Sequence, residues 1–477
     1  MKTEQLTYNE PTIFTVMLFA SIDTHEFKKK LSPLLTTDLP SLPVHIWDGN
    51  EFGLSLSRLS HAAQKVVKQL HQSGYDAMVV GGGVRDLLVG QSPKDFDIAT
   101  NATPEEVKAV FKRSRIIGRR FRIVHVMMGA ETIEVTTYRG GDQMQQNEQG
   151  RIMRDNTFGS QAEDALRRDF TCNALYYDAI ANQVIDYHHG MADIQKRRLV
   201  MIGEPKQRFR EDPVRVLRAL RLSTKLGFEL DDAIANVMAE CAPWLAAEPP
   251  ARLVDELIKL LLSGHALACL QNVRRFGIQA NVHPFLQVLM TQDLNEPFIQ
   301  LALKNTDLRI KQGKHVSVGF LLAALLWPKV RDQWQFFIAS GLKKSMALSA
   351  AVESVREELD GSRWGLPHRM TAMCREIWQL QSQFDNQKGQ RPYRLIAQPR
   401  FRAAYDFLLL RYEVGEADTE AALWWQRFQE VSTHEREAMV GTAARPYSEA
   451  VEAVVIEQPK KRRRRRRPKN TSMIHEN

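Results

Sequence analysis

The sequence predicts an α+β head, a small mixed sheet with helices, followed by an all-α body. Three observations carry that reading. Between about residues 54 and 200, short apolar runs of strand character alternate with helical stripes. Beyond residue 200 the strand signal nearly vanishes and long patterns at helical spacing recur. A glycine triplet, Gly81, Gly82 and Gly83, stands where a buried run gives way to a helical one, as a tight strand-to-helix turn requires.

The elements follow in chain order. Residues 1–53 mix apolar, proline and polar residues without a sustained period and read as an N-terminal extension, in which Met17 offers a second start. Leu54, Leu56, Leu59, Ala62, Val66, Val67 and Leu70 approximate one helical stripe. Tyr75 to Val80 reads as a short buried strand, Val84 to Leu88 opens a helix, and Asp95 to Ile98 is a second strand. Thr103 with Glu106 forms a capping box for a helix from Pro104 to Lys112. Phe121 to Met128, a turn at Gly129 and Ala130, and Thr132 to Tyr138 make a hairpin. The Gln- and Gly-rich stretch 140–150 reads as a mobile loop. Ser160 and Glu163 form a second capping box, for a helix carrying Arg167 and Arg168 about two turns in, with Asp169 beside them. Asp212 and Pro213 suit a helix N-cap and first turn. Helical patterns then span Val214 to Leu226, Ala251 to Leu262, Phe298 to Leu303, Val318 to Leu326, Met370 to Leu380 and Phe401 to Tyr412. No fixed repeat emerges, and the chain from Ser448 reads as a disordered tail.

Composition narrows the class. With 477 residues, 44% of them hydrophobic and 25% charged, the chain can build several packed domains and is not mainly disordered. The longest apolar run near the start, Phe14 to Ile22, falls well short of the ~20 residues that span a bilayer. Cys172, Cys241, Cys269 and Cys374 lie far apart without a CxxC pair, against a zinc ribbon or a disulfide scaffold, so a reducing cytoplasm fits best. The formal charge of +9 is matched in full by Lys460, Lys461, Arg462, Arg463, Arg464, Arg465, Arg466, Arg467 and Lys469. Consecutive arginines cannot pack into a core without repulsion and desolvation. The tail is therefore a solvated surface or a polyanion contact, and RNA is the favoured partner because neutralising phosphates releases counterions.

The chemistry concentrates in Gly81 to Asp86 and in Asp95-Phe-Asp97. Glycines such as Gly82 let backbone amides approach a phosphate, and Arg85 offers a planar fork to the same anion. The spacing is neither that of a P-loop nor that of a dinucleotide fingerprint. Residues i and i+2 of a strand share a face, so Asp95 and Asp97 can hold hard cations, as in two-metal phosphoryl transfer, or can simply be solvated carboxylates. Glu134, which alternates with Ile133 and Val135, is the third candidate ligand. His188 and His189 lack a partner at ligand spacing, Trp424 and Trp425 read as core, and Cys172 reads as a small buried side chain.

Gly81 to Asp86 with Asp95-Phe-Asp97, Arg167-Arg-Asp-Phe170 with Asn173, and Glu211-Asp-Pro-Val-Arg215 resemble, in order and spacing, the template-independent class II nucleotidyltransferases. That group comprises bacterial poly(A) polymerases and tRNA CCA-adding enzymes, and the likeness covers about residues 55 to 290. The stretch Ile116 to Val126, with its Gly-Arg-Arg-Phe core and His-Val pair, is similar to the poly(A) branch, as are Phe401-Arg-Ala-Ala-Tyr-Asp406 and the arginine run. The resemblance implies an α+β nucleotidyltransferase head at 54–200, an all-α nucleotide- and RNA-binding neck at 201–285 and an RNA-binding body at 286–447, before the Arg-rich tail at 448–477. It implies transfer of AMP from ATP to RNA 3′ ends (mRNA, small RNAs and decay fragments) with release of pyrophosphate. RNA-decay or RNA-chaperone proteins would be its protein partners.

Two Mg²⁺ ions would sit on Asp95 and Asp97, with Glu134 or Asp169 completing the acidic set. Arg168 would contact the nucleotide, Asp212 and Arg215 would read the base, and Arg218 and Arg221 would handle phosphate or hold the reader rigid. Arg119, Arg120 and Arg122 form a basic strip for a triphosphate or an RNA backbone. A CCA-adding enzyme shares nearly all these residues and is the alternative. A non-catalytic RNA-binding adaptor is the third reading, disfavoured by the intact Asp-Phe-Asp pair.

Overall fold

The computed structural model describes residues 44–118, 122–140, 145–146, 152–154, 157–278, 282–356 and 365–441. Arg119, Arg120, most of the N-terminal extension and the whole tail from Ser448 lie outside the described residues. The chain forms two compact units. The first runs to Lys196 and includes Val200–Ile202; the second takes Arg197–Leu199 and the chain from Gly203.

The first unit is built on an eight-stranded sheet. Its strands are β1 (His45–Asp48), β2 (Met78–Val80), β3 (Asp97–Thr100), β4 (Ser114–Ile117), β5 (Ile123–Met128), β6 (Glu131–Thr137), β9 (Leu175–Asp178) and β10 (Gln183–Asp186); β7 (Gln145–Gln146), inside the stretch 140–150 read as a mobile loop, pairs with β8 (Ile152–Arg154), just past it, in a separate ribbon. The spatial order is β1-β10-β9-β2-β3-β6-β5-β4. Only β3 and β6 pair in parallel, so the sheet is mixed, as predicted.

Alternation along these strands makes two faces. Val79, Ile98, Val124, Val126, Ile133, Val135, Leu175, Tyr177 and Val184 join a core with α1 (His61–Gln72), α2 (Gly82–Leu88) and α3 (Pro104–Val110). The amphipathic α1 buries Ala62, Ala63, Val66, Val67 and Leu70, and its N-cap Ser60 accepts from Ala63 N. The predicted stripe from Leu54 is broken before it: Leu56–Arg58 form a separate 3₁₀ turn. The Thr103 capping box is present at α3. On the opposite face Val80, Ala99, Tyr138 and Tyr176 pack with Ala165 of α4 (Gln161–Arg167).

Register then aligns one residue per strand across this second face. Ile46, Ile185, Tyr176, Val80, Asp97, Glu134, His125 and Arg115 are successive direct partners from β1 to β4. Directly paired residues project to the same side. The row therefore sets two carboxylates side by side in the middle of the sheet.

Three local expectations need correction. Asp95 precedes the strand, which begins at Asp97, because Asp95 has no ladder partner. The α4 helix ends at Arg167, and Arg168 is its extended C-cap, so Asp169 lies beyond the helix. Asp212 closes α6 (Pro205–Glu211) instead of capping α7 (Arg215–Leu226), whose N-cap is Val214 without a side-chain bond.

The second unit is helical apart from a short parallel pair, β11 (Arg198–Leu199) and β12 (Glu229–Leu230). After α7 come α8 (Asp232–Cys241), α9 (Pro250–Leu261), α10 (Ala266–Arg275), α11 (Pro284–Thr291), α12 (Pro297–Lys311), α13 (Val318–Ala339), α14 (Lys344–Ser354), α15 (His368–Gln381), α16 (Arg391–Ile396), α17 (Phe401–Glu413), α18 (Thr419–Glu430) and α19 (Thr433–Met439). Trp425 is fully buried among Phe384, Phe401 and Phe428 and belongs to the core, while the partly buried Trp424 packs against that core, stacked on Phe428. Among the described residues no helix is long and apolar enough to cross a membrane.

The first unit is closely packed at Gly190, which opens α5 (Gly190–Gln195) and donates its N–H to Asp186 Oδ1. A Cβ there would sit well inside van der Waals distance of the Thr171 carbonyl oxygen. Gly190→Ala is expected to cost about 1–3 kcal/mol, read by chemical denaturation; an unchanged midpoint would show that this backbone can give way.

Candidate active site

The glycine turn starts where β2 ends, one residue after Val80, the direct partner of Asp97. Gly81 has φ +69°, a conformation that L side chains rarely adopt. A Cβ placed on Gly81 would lie 3.9 Å from Asp97 Oδ2 and 3.8 Å from Arg168 Nη1. One carboxylate and one guanidinium therefore converge on bare backbone. Gly83 is needed for packing, since a Cβ there would come 3.2 Å from Phe96 Cδ1 and 3.4 Å from Asp95 O. Asp95 is exposed, Phe96 buried and Asp97 half-buried, the alternation of an extended segment with both aspartates on one side.

Glu134 flanks Asp97 on β6 and pairs its Oε1 with His125 Nε2 at 3.2 Å. Burial, then the neighbouring Glu134, push the Asp97 carboxyl up to about 6, with Asp95 adding to the rise and Arg168 opposing it. Such crowding of negative charge is relieved by a cation. Among the described residues no three His, Cys, Asp or Glu side chains form a ready-made cation cage. The oxygen donors nevertheless suit Mg²⁺, which is typically held by one or two carboxylates and completed by substrate phosphates and water.

The remaining predicted residues of this unit divide. Arg168 lies at the site, gripped by Asp164 Oδ2 from Nε at 3.1 Å and from Nη2 at 2.9 Å. Arg85 does not offer its fork to solvent: it is buried, donating to Asp86 Oδ1 from Nε at 2.9 Å and to Asn173 Oδ1 from Nη1 at 2.5 Å. Asp169 Oδ1 accepts from Phe170 N at 2.9 Å and from Asn173 Nδ2 at 3.2 Å, ordering the turn after α4. Arg122 pairs with Glu105. Asp186 accepts three backbone N–H groups, from His188, Gly190 and Met191, so the His188-His189 neighbourhood is a helix cap. Burial raises the Cys172 thiol to about 12, as for an inert core residue.

In the second unit the predicted base readers sit in a lattice of buried ion pairs. Asp212 accepts from Arg252 Nη2 at 2.9 and 3.0 Å, and Arg252 also pairs with Glu248. Arg215 Nη1 donates to the Arg208 carbonyl at 2.8 Å and reaches Glu211 at 3.3 Å. Arg221 Nε donates to the buried Glu256 at 2.6 Å, and Arg218 is half-buried on the same helix. Sequence reading missed Asp164, Tyr176, Arg139, Arg252, Glu248 and Glu256. Asp164 stands four residues before Arg168, an i,i+4 spacing that could have exposed it. Arg252 and Glu256 pair across 40 and 35 residues and leave no local trace.

Residues 77–200 match the family model described as "Poly A polymerase head domain", residues 227–290 "Probable RNA and SrmB- binding site of polymerase A", and residues 340–469 "Polymerase A arginine-rich C-terminus". Poly(A) polymerase I of Salmonella typhi is 40% identical over 405 residues, covering 82% of this chain and 87% of its own. The chain belongs to the poly(A) polymerase family. It is accordingly a polynucleotide adenylyltransferase with a nucleotidyltransferase head, taking a nucleotide substrate and binding RNA. A CCA-adding enzyme of Geobacillus stearothermophilus is 39% identical, but over only 45% of this chain and 52% of its own, so that relationship is partial. The solved CCA-adding enzyme of Bacillus stearothermophilus in complex with CTP superposes with a TM-score of 0.51 at 27% identity, covering 82% of this chain and 91% of its own.

The raised Asp97 carboxyl has a sign that can be tested. Folded protein binds the proton more tightly than unfolded chain, so the penalty is full above pH 6 and is relieved as pH falls toward the ordinary value of 3.8. Asp97→Asn is expected to stabilise the metal-free protein at pH 7 by on the order of 1–2 kcal/mol, and to remove that component of its pH dependence, in denaturation between pH 4 and 8. A destabilised variant would contradict the assigned repulsion.

Proposed function

We propose that the head performs the transfer at Asp97: AMP passes from ATP to the 3′ hydroxyl of RNA, pyrophosphate leaves, and no nucleic-acid template takes part. The observation that supports this most is the meeting of Asp97, Arg168 and the Gly81 backbone. The glycine turn lets backbone approach the phosphates, and Arg168 supplies fixed positive charge there. Asp95 and Asp97 would hold Mg²⁺, with Glu134 the better third acid because Asp169 already orders its own turn. Bound there, the metal would supply charge neutralisation at the phosphates and a lowered pKa at the attacking hydroxyl. Arg85 braces Asp86 and Asn173 under the turn instead of touching the nucleotide.

Base choice is assigned to Asp212 and Arg215. Arg252 and Glu211 hold these two groups in fixed orientations, as selection of adenine without a template demands. Arg221 on Glu256, with Arg218 on the same helix, stiffens that reader. The basic strip at Arg119 and Arg120 and the run from Lys460 to Arg467 supply sequence-independent affinity for mRNA, small RNAs and decay fragments. The setting proposed is the cytoplasm, with RNA-decay or RNA-chaperone proteins as partners.

Extension of one RNA with each nucleotide supplied alone is expected to give long tails with ATP only. Ordered use of CTP and then ATP, stopping after three additions, would replace this reading with a CCA-adding one. Asp95→Ala and Asp97→Ala should each abolish incorporation while RNA binding survives, and normal turnover in either would refute the assignment. Deleting the chain from Gln458 should weaken RNA binding and lower the slope of log affinity against log salt by up to about 6, at ~0.7 per phosphate neutralised. An unchanged slope would remove the tail from the RNA contact.

A further inference from the structure

We propose that Asp164 and Tyr176 are positioning residues for the nucleotide: together they lock the Arg168 guanidinium against the Gly81 turn, and ATP affinity depends on that lock. The inference rests on the reading above that Arg168 meets the triphosphate. Asp164 is almost fully buried, its side chain 3% exposed, yet two guanidiniums and a phenol converge on it. Its Oδ2 accepts from Arg168 Nε at 3.1 Å, from Arg168 Nη2 at 2.9 Å and from the Tyr176 hydroxyl at 2.6 Å. Its Oδ1 accepts from Arg139 Nε at 3.1 Å and from Arg139 N at 3.3 Å. The Tyr176 oxygen also accepts from Arg168 Nε at 2.9 Å, and its ring lies 5.0 Å beneath the guanidinium.

The geometry aims the bound arginine. Nε and Nη2 are held from behind, while Nη1 donates to the Asn173 carbonyl at 3.4 Å and faces Gly81 beside Asp97. Tyr176 is itself a member of the cross-sheet row, the direct partner of Val80, which immediately precedes that turn. Three separate segments, the chain just past β6 at Arg139, α4 and β9, thus fix one charge. Burial alone would raise the Asp164 carboxyl, but Arg168, Arg139 and Tyr176 overcome it and hold it well below the usual range, so the clamp stays charged at neutral pH. A preorganised arginine loses little side-chain freedom on binding, which is how a residue that never touches ATP would act on its affinity.

Steady-state kinetics at saturating RNA test this in the full chain. Asp164→Asn should raise the KM for ATP ~tenfold and Tyr176→Phe ~threefold, with kcat within ~threefold and the Kd for RNA unchanged. Both effects should disappear when Arg168→Ala is already present, because they act through that guanidinium. Full additivity with Arg168→Ala, or a loss confined to kcat, would overturn the proposal. Should Asp164→Asn fail to fold, Tyr176→Phe decides, since phenylalanine fills the same volume and removes only the hydroxyl. If Arg168→Ala itself leaves the KM for ATP unchanged, the reading of Arg168 is what fails, and the clamp falls with it.

Discussion

Like charges set beside each other on one sheet face repel, and this head is organised around such a pair. Parallel pairing of β3 with β6 puts Asp97 next to Glu134, and antiparallel pairing of β2 with β3 brings the glycine turn to the same point. Neither pairing can slip by one residue. A one-residue shift would bury the carboxylates among Ile98, Val135 and their neighbours and expose the apolar set. The hydrophobic core on one face therefore enforces an electrostatically costly arrangement on the other.

The surrounding residues answer that cost in two ways. Arg168 lowers the charge density at Asp97 directly, and Asp164 with Tyr176 keeps Arg168 in place. The charge that remains crowded at Asp97 is what the proposed divalent cation and substrate phosphates would neutralise. In the second unit the solution differs: each arginine of α7 for which a carboxylate partner is described, Arg215 with Glu211 and Arg221 with Glu256, is already matched.

Much of this was legible in the sequence because it is local. The glycine triplet, the Asp-Phe-Asp alternation, the two capping boxes and the hairpin around Gly129 are each written within a few neighbouring residues, and each is present in the fold. The edge strand β1, with its exposed Ile46, carried no sustained apolar signature. Roles assigned to arginines were the least legible. Arg85 carries the charge that suits a phosphate, yet its direction is set by Asn173, 88 residues away. Asp212 looked like a helix cap because it precedes proline, whereas its carboxylate accepts from Arg252, distant in sequence.

The most direct test is calorimetric titration of Mg²⁺ into metal-free protein, with and without a non-hydrolysable ATP analogue, for the natural chain and for Asp97→Ala. Strong cation binding that requires the analogue and vanishes in the variant is the predicted result. Equal binding by both proteins would mean that the charge crowded onto Asp97 is not what receives the cation, and the arrangement described here would lose its chemical purpose.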